Sequence, residues 1–73
     1  GAAIGDGILI GKIIALDESK LRVAVAGEPE DRMMEFEVHE ALRGIAVGDQ
    51  VRIQYHAENE HAVVDRIEEL RAH

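Results

Sequence analysis

The chain has 73 residues, with 8 Lys+Arg against 15 Asp+Glu and a formal net charge of −7. That length is about half of what one domain usually takes, so a second domain is excluded, and the acidic balance opposes nucleic-acid binding, which rests on basic surface and counterion release. Cysteine is absent, which removes disulfides, thiolate zinc sites and cysteine nucleophiles together.

The run ILIGKIIAL from Ile8 to Leu16 is rich in β-branched residues and predicts a first strand. Gly11 inside it predicts a bulge or a sharp bend of a barrel strand. The polar DESK, Asp17 to Lys20, is turn chemistry, and LRVAVA then places Leu21, Val23 and Val25 on one face of a second strand. GEPED, from Gly27 to Asp31, carries the only proline and predicts a loop.

The third strand is RMMEFEV, with Met34, Phe36 and Val38 inward and Met33, Glu35 and Glu37 outward. HEALRGIAVG has apolar residues at Ala41, Leu42, Ile45 and Val47, but Gly44 limits it to a helical turn or an irregular link, read as a short cap. Strand four is VRIQYHA, with Val51, Ile53 and Tyr55 inward and Arg52, Gln54 and His56 outward. A tip at Glu58 and Asn59, or a four-residue loop over residues 57–60, leads to strand five in HAVVDRIEEL, and the tail after it is compatible with strand or helical turn.

Five short strands with one link between the third and fourth match the order of a small all-β barrel of the oligonucleotide/oligosaccharide-binding (OB) type. An open meander is the competing architecture. Residues 1–73 are read as one domain, with 1–7 a flexible lead, and Gly1 as a trimming remnant that leaves an upstream segment open. No apolar run approaches the roughly 18 residues of a membrane span, so no membrane insertion is expected in this segment. One Phe, one Tyr and no Trp leave few platforms on which single-stranded bases stack, so a nucleic-acid partner is not expected.

The segments GKIIALDESKLRVAV (Gly11 to Val25), MEFEV (Met34 to Val38), GDQVRIQY (Gly48 to Tyr55) and VVDRIEEL (Val63 to Leu70) together resemble the periplasmic copper/silver-binding CusF family. The resemblance implies a five-stranded barrel that holds one Cu(I) or Ag(I) with a His, a Met-x-Met pair and a covering Trp, in a periplasmic or other extracytoplasmic setting. Carried over position by position, the histidine falls on Ala26, the first Met on Arg32 and the second on Met34, and no Trp exists. Soft Cu(I) favours thioether and imidazole donors, and one Met does not make that set.

Four histidines and two methionines remain as donors. If the hairpin tip is as predicted, His56 and His61 oppose one another with Cβ atoms about 4.5 to 5.5 Å apart, near enough to share one ion, with Glu58 or Glu60 adding an oxygen. A rearranged metal set of Met33, Met34, His56 and His61, holding copper, silver or zinc, is therefore weighed against plain solvent-facing histidines and core-filling methionines. His39 is read as capping or exposed, and His73 as terminal.

The outward Glu35, Glu37 and Glu40 form an acidic stripe, either a solvated face or a docking surface for a basic protein partner. Ser19 sits in a turn without a nearby histidine, no glycine pattern makes a phosphate loop, and no buried acid is indicated, so no enzyme activity is expected. The functional expectation is a noncatalytic accessory or protein-interaction module with a degenerate metal site, with metal binding and OB-type nucleic-acid binding as alternatives.

Overall fold

Side chains at every second position of Lys20–Val25, Met33–Glu37 and Gln50–Glu58 are apolar, and a sheet that curls onto itself buries those rows against one another. The computed structural model describes residues 6–27 and 32–70 and does so as five strands: β1 (Gly7–Leu16), β2 (Lys20–Val25), β3 (Met33–Glu37), β4 (Gln50–Glu58) and β5 (His61–Glu69). They close in the order β1-β2-β3-β5-β4, the fourth pairing back onto the first. This is an all-β, OB-like barrel, and no helix of the described residues is long and apolar enough to cross a membrane.

Closure depends on β1, which is long enough to serve two neighbours. Its first half pairs with β4 from Gly7↔Tyr55 to Lys12↔Gln50, and its second half with β2 from Gly11↔Val25 to Leu16↔Leu21. Gly11 and Lys12 pair on both sides, so the chain bends there. A Cβ built at Gly11 would lie 2.3 Å from Val23 Cγ1 and 2.5 Å from the Ala24 carbonyl oxygen, so only glycine lets the two strands meet. The bulge itself lies three residues on, at Ile14, the unpaired residue between Ile13↔Val23 and Ala15↔Arg22.

The interior is filled by Ile13, Leu21, Val23, Phe36, Val51 and Ile53, all fully buried, with Val38 and Ala62 completing the cluster. Phe36 and Tyr55 meet edge to face, ring centroids 5.3 Å apart, the arrangement that aromatic quadrupoles favour. Of the predicted inward rows, Leu21, Val23, Phe36, Val38, Val51 and Ile53 are buried, Met34 and Tyr55 pack half-buried against them, and Val25 stands outside the cluster. Leu42 and Ile45 of the β3–β4 link pack on the same cluster, so the predicted cap exists as an irregular segment.

Local polar chemistry sets the turns. Asp17 Oδ1 accepts the backbone N–H of Ser19 at 2.8 Å and of Lys20 at 2.9 Å, and these two donors hold its carboxyl below the ordinary carboxylate range. The link ends in a turn from Ala46 to Asp49, in which the Asp49 N–H donates to the Ala46 carbonyl and Gly48, at φ +97°, takes the position that a type II turn reserves for glycine. Gly48 N–H donates to the Ile13 carbonyl and Ile13 N–H to that of Asp49, both at 2.9 Å, which fastens the link to β1.

Two boundaries differ from the sequence-based expectation. Strand β1 begins at Gly7, paired with Tyr55, so residue 7 is part of the barrel. The β4–β5 tip is Asn59–Glu60, both at positive φ (51° and 67°), because Glu58 still pairs with His61 and leaves two residues to reverse the chain. Residues 1–5 of the expected lead, most of the GEPED loop and the tail with His73 lie outside the described residues.

Two substitutions test this account. Gly11→Ala is expected to destabilise the barrel by about 1–3 kcal/mol through the forced contact with Val23 and Ala24, read as a lower urea midpoint; an unchanged midpoint contradicts the close approach. Glu60→Gly removes the side chain from a left-handed position and is expected to stabilise by about 0.5–1 kcal/mol. Its thermal midpoint should rise, and a fall would contradict the two-residue turn.

Candidate functional site

One cluster of polar groups lies where the outer face of β4 and β5 meets the β3–β4 link. His56 stands there with its side chain one-third exposed. Its Nδ1 lies 2.6 Å from Asp65 Oδ1 and its Nε2 3.0 Å from Glu58 Oε2. Glu58 follows two residues on along the same strand and so shares its face. Asp65 reaches it because β5 bulges: Gln54 pairs with Arg66 and Tyr55 with Val64, leaving Asp65 as the extra residue.

A histidine with a carboxylate on each ring nitrogen is favoured in its protonated form, in which both N–H groups donate. The hydrogen bond to Glu58 and then that to Asp65 raise its pKa above the ordinary histidine range. The two carboxylates sit on opposite edges of the ring, so they do not converge with an imidazole nitrogen on one point. Among the described residues no three His, Asp or Glu side chains are placed to hold a metal ion.

Beside His56 runs an open groove of about 450 Å³ between the link and β5. Val38, Leu42 and Ile45 line it from the link side together with the polar His39, Glu40 and Arg43, and consecutive β5 residues from Val63 to Ile67, Asp65 and Arg66 among them, line it from the other. Val63 belongs to this outer side: it is buried yet stands outside the central cluster, opposite His56 in the ladder.

The predicted donors are not brought together. His56 opposes Val63 and His61 opposes Glu58, so the expected face-to-face histidine pair is replaced by a diagonal one; diagonal neighbours stand about 7–8 Å apart. The cause is the tip, which lies one residue later than predicted and so shifts the pairing by two. His61 instead lies 3.7 Å from Glu37 Oε1, while His39 lies 3.5 Å from Glu37 Oε2. Met34 turns inward against the core, and Met33 turns outward opposite Ala24, about half exposed. Of the positions that the CusF resemblance marks, Ala26 and Arg32 are exposed, and neither offers a donor that suits Cu(I) or Ag(I). The residues present do not fit that ion.

Among the described residues only Glu35 of the acidic stripe is paired with Lys or Arg side chains, and Glu40 has no ion-pair partner. Glu35 lies 3.4 Å from Arg22 and 3.9 Å from Lys20, and Glu37 is shared by two histidines. Phe36 is buried and Tyr55 is half-buried against it, so neither presents a fully exposed ring for stacking. Ser19 Oγ is 3.5 Å from Asp17 and is bonded to no histidine among the described residues. Sequence reasoning missed Asp65, Arg43 and Arg66. The adjacent apolar pair Val63–Val64, followed by Asp65–Arg66, breaks strict alternation and was the available signal of a bulge.

No family model, curated protein or solved structure matches the chain.

The sign of the His56 effect follows from its raised pKa in the fold. Its contribution to stability is fully present below the unfolded histidine value of about 6.5 and is lost as pH rises through the higher folded value. NMR titration should show His56 as a high-titrating histidine, and Asp65→Asn should bring it down toward the ordinary range. A His56 that titrates normally in both proteins contradicts the two-carboxylate geometry.

Proposed function

We propose that this chain is a noncatalytic β-barrel interaction module, built on a scaffold resembling that of CusF but without its soft-metal cage. The observation that carries this reading is the divergence of the donors: Met34 faces the interior, Met33 the opposite side of the same strand, and His56 has both ring nitrogens engaged by carboxylates. A thioether and imidazole cage requires side chains that aim at one point. An extracytoplasmic setting belongs to the same resemblance.

The absence of any hydrogen bond between Ser19 and a histidine, and of any buried ionised group among the described residues, supports the noncatalytic part. The interaction part rests on surface: a groove beside β5 of mixed polar and apolar lining, and exposed Ile8 and Ile10 on the outer side of β1.

Calorimetric titration of the full chain with Ag(I) is expected to show no stoichiometric binding at micromolar protein. Tight one-to-one uptake that disappears in Met34→Ala would overturn the reading in favour of a metal carrier. Uptake lost instead in the His56→Ala, His61→Ala double variant would overturn it in favour of the rearranged set.

A further inference from the structure

The barrel is closed unequally around its circumference. Along β1 the ladders run for five and six residue pairs, but β3 and β5 meet at a single pair, Glu37↔Val63. Beyond Val63, β5 continues along β4 to Glu69 while the chain after β3 departs into the link. The side of β5 that faces away from β4 therefore has no strand beside it over Val64 to Glu68, and this side borders the groove.

The direction of the backbone groups follows from the register. Leu70 N–H donates to the Gln50 carbonyl of β4. Alternation along a strand then turns the N–H and C=O of Glu68 and Arg66 to β4 and those of Ile67 to the groove. Ile67 pairs only with Ile53, as the member of a pair that exchanges no hydrogen bonds. An unpaired strand edge is a template for one more strand, and with Leu42 and Ile45 lining the groove beside it the ligand that meets both is an extended polypeptide.

Charge narrows the partner further. The chain as a whole carries −7, yet Arg43 and Arg66 both line the groove and neither has an ion-pair partner among the described residues; of the two lining carboxylates Asp65 is engaged by His56, which leaves Glu40 alone against the two arginines. We propose that the β5 edge captures an extended acidic peptide segment of a partner protein, which adds as a strand between β5 and the link. Its backbone bonds Ile67, alternate apolar side chains meet Leu42 and Ile45, and its carboxylates reach Arg43 and Arg66. This inference rests on the interaction-module reading and names the partner class for it.

The test uses the full chain, ¹⁵N-labelled, and a six-residue peptide alternating Glu and Val with both ends blocked. Saturable amide shifts are expected at Ile67 and its β5 neighbours and at residues 42–45. The Arg43→Gln, Arg66→Gln double variant should weaken binding at least about fivefold, and since both side chains are exposed, its unbound spectrum should remain that of a folded barrel. N-methylation of alternate peptide amides should abolish binding, because it removes the donors that a strand supplies.

Equal or tighter binding of a Lys–Val peptide at the same amides would overturn the charge assignment, since bulk charge alone favours that cation. Shifts confined to the Ile8 and Ile10 face, or no shift at millimolar peptide, would overturn the edge site. Concentration-dependent shifts of these amides without peptide would make a second copy the occupant and also overturn it. Each of these outcomes leaves the module reading standing, because that reading is judged separately by the Ag(I) titration.

Discussion

The fold depends on one strand being shared by two neighbours. A five-stranded sheet of this size closes only if β1 runs with β4 and then with β2, and the hand-over occurs at Gly11, where β1 and β2 approach too closely for any side chain. That bend brings Ile13 inward over Val51, Val23 and Phe36, and with it the whole interior cluster. The link from β3 to β4 is then held by backbone bonds between Ile13 and the Gly48–Asp49 turn, so the same strand also positions the segment that walls the groove.

Firm closure at β1 leaves the opposite seam short. β3 ends at Glu37, one residue into its contact with β5, and Val38 is used to fill the core rather than to extend the ladder. The bulge at Asp65 follows two residues after that last pair. A bulge at a strand edge twists it and discourages uncontrolled pairing, and here it also presents Asp65 to His56. The raised histidine pKa is thus a consequence of this bulge, and the groove one of the short β3–β5 seam.

Most of the fold was legible because period-two alternation survives in β2, β3 and β4: Leu21 and Val23, Met34 and Phe36, Val51 and Ile53 are inward as their spacing requires. The site was less legible for a definite reason. Outward residues are placed by register, and register is decided by the turn. Neither Asn59 nor Glu60 carries the glycine that would have marked a two-residue turn, so the tip was placed early and His56 was set against His61 instead of Val63. Gly11 signalled its bend, but the bulge it suggested fell at Ile14, a residue with no distinguishing chemistry. The break in alternation at Val63–Val64 marks a bulge in β5, but that Asp65 is the extra residue is decided only by the pairing with β4.

The central claim is that the barrel is sealed along β1 and open along the far side of β5, and amide hydrogen exchange of the free chain tests it most directly. Ile13, which bonds across to the link, should exchange among the slowest, and along β5 the amides of Arg66 and Glu68 should be protected while Ile67 between them exchanges far faster. Protection of Ile67 equal to that of its two neighbours would show the edge already covered and contradict the account.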